Sequence, residues 1–145
     1  MIKKISSTAN PQIKEYIKIL RKSKARKESG DFLVEGIREI DIAIRNNYFI
    51  KKIIYNPTLI NFDKIEKYVK GKTECIETTN NVYKKISYRS STEGLIALVE
   101  KKNHNLDTLK IKNKSSLILI LDGIEKPGNI GALLRTSDAA NLDAV

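Results

Sequence analysis

Phe32-Leu33-Val34-Glu35-Gly36-Ile37-Arg38-Glu39-Ile40 changes its hydrophobic period at Gly36, and that change sets the fold class. Phe32-Leu33-Val34 is a short apolar run closed by a glycine, the pattern of a buried strand. Ile37, Ile40, Ala43 and Ile44 then keep helical spacing up to a stop at Asn46-Asn47. Ile50 to Tyr55 returns to strand character. Toward the C-terminus, Ile60 to Val69 predicts a helix closing at Gly71, and Cys75-Ile76-Glu77-Thr78 a strand. Thr79 or Asn80 caps a short helix through Ile86, and Leu95 to Val99 is a further strand. On the N-terminal side, Asn10 is an N-cap with Pro11 at the first helical position. Ile13, Ile17 and Leu20 recur there at i, i+4 and i+7, which predicts one buried stripe before a stop at Gly30. Strands alternating with helices of about ten residues predict an α/β layer fold with a largely parallel sheet.

The composition fits that fold. The chain has 145 residues, 41% of them apolar, enough for a packed core and too many for a disordered chain. No run approaches the roughly 18 apolar residues of a membrane span. Met1-Ile2-Lys3-Lys4-Ile5-Ser6 lacks the apolar region of a secretory signal. One cysteine, Cys75, forms no internal disulfide, and one histidine, His104, leaves no Cys/His metal cluster, so no metal is expected. Cys75 suits a small core position, and His104 a solvated one. The expectation is a soluble cytoplasmic protein.

Charge points to a partner. Lysine and arginine outnumber aspartate and glutamate 27 to 17, a net +10. Residues 1–30 alone hold seven Lys and two Arg against Glu15 and Glu28, a net +7. Such a concentration is the footprint of a polyanion partner, RNA or DNA ahead of an anionic membrane surface. The plainer alternative is a lysine-rich solvated helix face. The candidate RNA contacts are Lys14, Lys18, Arg21, Lys22, Arg26 and Lys27, with Arg38 beside the Gly36 turn. Their expected role is phosphate contact, which positions RNA without reading sequence and weakens with salt. Tyr16, Tyr48, Tyr55, Tyr83 and Tyr88 are available for stacking, but tyrosines at these spacings suit the core, and none is assigned that role. Tyr88-Arg89-Ser90-Ser91 suggests a polar loop near the RNA.

Residues 101–115 have isolated apolar side chains among Lys, Asn, His and Asp, the composition of a linker. Leu117-Ile118-Leu119-Ile120-Leu121 follows, the most apolar run in the chain and a candidate strand buried on both faces. After a turn-rich loop through Asn129, which Asp122 and Glu125 flank, Ile130 to Ala140 has helical composition. Leu133, Leu134 and Ser137 share a face there, and Asp143-Ala144-Val145 begins another strand. One strand, a helix and a strand start cannot bury that apolar run alone. Nucleotide hydrolysis is poorly supported. Gly123 and Gly128 have the spacing of G-x-x-x-x-G-K-[ST], but Asn129 and Ile130 stand at the Lys and Ser/Thr positions. The dinucleotide pattern G-x-G-x-x-G fails as well. In the loop, Asn129 is a candidate helix cap and Arg135 pairs with Asp138 or Glu125 if it is only a surface residue.

Lys126-Pro127-Gly128-Asn129-Ile130-Gly131-Ala132-Leu133-Leu134-Arg135-Thr136-Ser137-Asp138-Ala139-Ala140 resembles motif 1 of the SpoU (TrmH) RNA ribose methyltransferases. The region before it is similar to the small substrate-binding domain that precedes the catalytic domain in many members. The matching pieces are Ile5-Ser6-Ser7 with Asn10-Pro11, Phe32-Leu33-Val34-Glu35-Gly36-Ile37-Arg38, and Thr92-Glu93-Gly94-Leu95-Ile96-Ala97. The resemblance implies a small α/β/α RNA substrate-binding domain over residues 1–100, a linker over 101–115, and the first strand, loop and helix of a SPOUT-type knotted methyltransferase domain over 116–145. It also implies S-adenosylmethionine as methyl donor, a ribose 2′-hydroxyl of ribosomal or transfer RNA as acceptor, and a homodimer. By match to motif 1, Asn129 and Arg135 are the implied catalytic-site residues. A guanidinium stays protonated and makes a poor base, so Arg135 is cast as a clamp on the phosphate beside the reacting ribose, with Asn129 holding the loop. Motifs 2 and 3, which build the cofactor pocket and the knot, lie C-terminal to motif 1 in this family, and Val145 is the last residue. The expectation is therefore a chain that alone neither binds the methyl donor nor transfers a methyl group. It is then a piece of a longer enzyme or, as the alternative, a non-catalytic, ribosome-associated RNA-binding module.

Overall fold

The computed structural model describes residues 2–89, 93–109 and 115–145. Ser90, Ser91 and Thr92 of the expected RNA loop and of the last matching piece, and residues 110–114 of the linker, lie outside the described residues. Two compact units form, Met1–Lys102 and Asn103–Val145.

The first unit is built on five strands: β1 (Ile2–Ile5), β2 (Asp31–Glu35), β3 (Ile50–Tyr55), β4 (Glu74–Thr78) and β5 (Leu95–Glu100), in the spatial order β1-β4-β3-β5-β2. Its helices are α1 (Pro11–Arg21), α2 (Ser23–Ser29), α3 (Ile37–Arg45) and α4 (Asn80–Ile86). Successive strand residues point to opposite faces, and β5 shows the consequence. Leu95, Ala97 and Val99 join Ile53, Cys75 and the α3 residues Ile40 and Ala43 in one core. Ile96 and Leu98 join Ile54, Ile76, the α1 residues Ile13, Tyr16 and Ile19, and the α4 residues Val82, Tyr83 and Ile86 in the other. Both faces are covered, so the unit is the α/β/α layer structure expected, and its central strands are apolar throughout.

Several details differ from the sequence reading. The sheet is mixed: β1–β4 and β4–β3 are parallel, while β5 is antiparallel to both β3 and β2. After α4 the chain is held at the carboxyl end of β2, where Glu35 accepts from Tyr88 and Arg89 N–H, and it enters β5 at Leu95 opposite Tyr55, the end of β3, so β5 has to run back. The span from Ile60 to Val69 forms two short 3-10 turns, Phe62–Lys64 and Glu66–Tyr68, not an α-helix. Its buried residues, Ile60, Ile65 and Tyr68, are five and three apart, which makes no helical stripe. On α1 the most buried residues are Ile13, Tyr16 and Ile19, with Ile17 and Leu20 only partly covered. Likewise Ile44 of α3 is exposed. Finally β2 is an edge strand of half-buried residues.

The parallel strands meet in a polar knot at their carboxyl ends. Glu77 accepts a hydrogen bond from Tyr55 Oη at 2.9 Å and pairs with Lys4 Nζ at 3.0 Å, so one carboxylate ties β1, β3 and β4. Lys4 and Tyr55 together hold the Glu77 pKa below its ordinary value of 4.5, while burial pushes the Tyr55 phenol up to about 12. A lowered carboxylate contributes stability above its unfolded pKa and loses it as pH falls through the folded value. Glu77→Gln is therefore expected to lower the urea midpoint at pH 7 while leaving stability at pH 3 close to wild type. An equal loss at both pH values would show that packing, not ionisation, carries the effect.

In the second unit, α5 (Pro127–Ala139) is the main element, with a 3-10 turn at Leu106–Thr108. The expected strand at Leu117–Leu121 is reduced to one parallel bridge, Ile118 to Ala144, with Leu119 N–H to Ala144 O and Asp143 N–H to Leu117 O. Leu117, Ile118 and Ile120 are 61%, 44% and 85% exposed. Within residues 115–145 the one other regular element is α5, and a single helix covers at most one face of the run.

Candidate nucleic-acid interface

The α1 N-terminus follows from its sequence: Asn10 Oδ1 accepts from Gln12 N–H at 2.9 Å, and Pro11 supplies a pre-set φ at N1. Burial of Ile13, Tyr16 and Ile19 fixes the rotation of the helix. Lys14, Lys18 and Arg21, at i, i+4 and i+7, then form one stripe on the solvent side, spread along about 10 Å of axis. None of the three side chains has a hydrogen bond or ion pair to another described residue. Lys22 extends the stripe. It interrupts the helical backbone at φ −121° and ψ 121°, so the basic segment is two helices with a bend rather than one. Lys27 on α2 is also exposed and unpaired among the described residues.

Arg26 is placed differently from its expected role. Its Nη1 donates to Ile19 O at 2.8 Å and Leu20 O at 3.2 Å, carbonyls of the last turn of α1 that have no helical partner. The guanidinium closes the α1–α2 bend. Ser23, Arg26, Lys27, Asp31, Phe32 and Lys101 line a concavity of about 310 Å³ beside it.

Arg38 is not brought to the α1 stripe. It lies on α3, which packs on the opposite face of the sheet. With Ile37, Asp41, Ile42, Arg45 and Glu93 it lines an open cleft of about 500 Å³. The turn before α3 is tied to a segment more than fifty residues away. Glu93 Oε2 accepts from Ile37 N–H at 2.7 Å, and Glu35 Oε2 accepts from the backbone N–H of Tyr88 at 2.7 Å and of Arg89 at 3.4 Å. Arg89 Nη2 bonds Glu39 Oε1 at 2.8 Å and so lowers the Glu39 pKa. Sequence reasoning missed this clasp. The only local signal is that α3 begins at Gly36, which carries no side-chain cap, and so leaves its first N–H groups to distant acceptors.

Of the tyrosines, Tyr16, Tyr55, Tyr68 and Tyr83 are buried, as expected for core residues, and Tyr88 is not. Cys75 is buried in the core and its thiol pKa is raised by burial, which makes it a poor nucleophile. His104 is exposed. In the second unit, α5 begins at Pro127 with Lys126 as cap, so Asn129 stands inside the first turn and does not cap it. Proline at N1 explains the earlier start. Asn129 and Arg135 are both exposed, six residues or about 9 Å of helix rise apart. The Arg135 side chain forms no ion pair with Asp138 or Glu125, nor a hydrogen bond with any described residue, so its five donors are available to a ligand.

The family described as the MRM3-like substrate binding domain matches residues 10–97. A 23S rRNA (guanosine(2553)-2′-O)-methyltransferase of Bacillus subtilis is 25% identical over 144 residues, covering 99% of this chain and 54% of that protein. A crystal structure of an RNA 2′-O ribose methyltransferase superimposes with a TM-score of 0.77 at 36% identity, over 96% of this chain and 53% of the other. The SpoU methyltransferase AviRb of Streptomyces viridochromogenes, solved in complex with the cofactor AdoMet, shares the fold with a TM-score of 0.77 at 23% identity, over 90% of this chain and 49% of that one. The chain spans about half the length of the relatives it matches.

Proposed function

We propose that this chain, which belongs to the family of MRM3-like substrate-binding domains, holds ribosomal RNA for methylation of a ribose 2′-hydroxyl. The observation that carries the reading is the stripe of Lys14, Lys18, Arg21 and Lys22, unpaired cations aligned on the outer face of a well-anchored helix. Phosphates of the RNA neutralise it, which orients the strand without selecting sequence. Arg135 then clamps the phosphate beside the reacting ribose and so orients the hydroxyl, and Asn129, nearly two turns earlier, holds the loop and the arginine in place.

S-adenosylmethionine is the donor this reading implies, and residues 115–145 do not fit it by themselves. A ligand of that size is mostly enclosed when bound, whereas Ser137 is the one buried side chain among the described residues of that segment. The chain alone is accordingly proposed to bind RNA without transferring a methyl group. A homodimer belongs to the same reading, because the exposed Leu117, Ile118 and Ile120 offer an apolar surface for a second copy to cover.

The test is a map of ribose 2′-O-methylation in ribosomal RNA, by resistance of the backbone to alkaline cleavage, in source cells with and without the gene. Loss of one methylated position, restored by the wild-type gene, is expected. An unchanged map, together with cross-linking of the protein to ribosomal RNA, would move the function to the non-catalytic RNA-binding module.

A further inference from the structure

Tyr88 is 83% exposed, while four of the other five tyrosines are buried and Tyr48 is half-buried. A single exposed aromatic ring is ordinary on a mobile tail; this one stands on a fixed backbone. Ser87 N–H closes the last turn of α4 on Tyr83 O at 3.0 Å. The next two N–H groups both go to Glu35 Oε2, and the Arg89 side chain is paired to Glu39. The chain is thus anchored before, at and after the ring, to α4, to the end of β2 and to the first turn of α3. Neither ring nor hydroxyl has a partner among the described residues. Lys84 and Lys85 precede it on the exposed side of α4, and Arg38 lies in the α3 turn that holds it, while Arg89, which follows it, is taken up by Glu39.

A ring presented from an anchored backbone and flanked by cations suits a stacking platform for a single-stranded nucleic acid, because stacking uses the base face and the cations follow the backbone. Paired bases in an A-form helix offer no such face. Anchoring in the free protein also removes the backbone part of the ordering cost that would otherwise offset the contact. We propose that Tyr88 stacks on an unpaired base of the bound RNA. The proposal rests on the RNA-binding reading and deepens it: the α1 stripe takes phosphates from any strand, and Tyr88 selects for an unpaired nucleotide.

The probes are a fluorescein-labelled twelve-nucleotide oligoadenylate RNA and the same strand annealed to its complement, titrated with the full chain. Tyr88→Ala is expected to weaken single-strand binding about tenfold, with no change on the duplex and no change in salt dependence. Tyr88→Phe keeps the ring and should bind like wild type. A 2-aminopurine placed in the strand should change emission on binding to wild type and Tyr88→Phe, and not on binding to Tyr88→Ala. Equal binding by wild type and Tyr88→Ala, or equal loss on strand and duplex, overturns the stacking role and assigns the ring to a protein partner or to none. Wild-type protein that binds neither RNA overturns the RNA-binding reading and this proposal with it. Since the ring is exposed, unchanged thermal unfolding of Tyr88→Ala is the control for folding.

Discussion

Alanine at Lys14, Lys18 and Arg21 together is expected to weaken RNA binding between about tenfold and about a hundredfold at low salt, from up to about 1 kcal/mol per exposed charge contact. The sharper readout is the salt dependence. Each phosphate neutralised on a single strand contributes about 0.7 to the slope of log K against log salt, so losing three contacts should flatten that slope by about 2. Folding should be preserved, since all three side chains are exposed and have no partners among the described residues. Two single variants calibrate the result. Lys24 is exposed and its Nζ lies 3.8 Å from Glu28, so Lys24→Ala should cost less affinity than any stripe residue. Arg26 bonds the last carbonyls of α1, so Arg26→Ala should lower stability by about 1–2 kcal/mol before it lowers binding. Binding that weakens with no change of slope would mean that the stripe shapes the surface and does not touch phosphate.

The contrast between Arg26 and Lys18 shows where the sequence was legible. Both are cations in one basic run, and only the bend at Lys22, which turns Arg26 back onto α1, separates a structural cation from a free one. A bend of one residue leaves no periodicity to detect. The α1 face was displaced for a related reason: Ile13, Tyr16, Ile17, Ile19 and Leu20 form one broad apolar arc, and the neighbours on α4 and β2 decide which part goes deepest. β5 was legible because five buried residues in a row fit only a strand covered on both faces. Its direction was not, because that depends on where Glu35 returns the chain to the sheet, through bonds to residues more than fifty positions away. The strand β1 escaped notice because Lys3 and Lys4 point to solvent at the sheet edge and leave Ile5 as its one buried residue. Within the candidate site, the stripe was legible as charge. The clasp holding Tyr88 joins residues over fifty positions apart, so no local pattern carries it.

Gly94→Ala is expected to cost about 3 kcal/mol of stability, against about 1 kcal/mol for Gly30→Ala. Both glycines have positive φ, +80° and +69°, so both substitutions meet the same backbone penalty. They differ in what surrounds them. A Cβ at Gly30 meets nothing within 4 Å, whereas one at Gly94 would lie 2.6 Å from Leu59 Cβ and 3.1 Å from Ile60 Cγ2. Leu59 Cβ is fixed to its own backbone, so relief requires the segment after β3 to move. That segment is held by Asn56, whose N–H donates to Gly94 O at 2.9 Å and whose buried side chain accepts from Thr58. Moving it strains the register in which Tyr55 faces Leu95, at the start of the most buried strand of the sheet. Urea unfolding of the two variants measures the difference directly. Equal losses would show that the chain after β3 yields freely, and that Gly94 is required for its backbone angle alone.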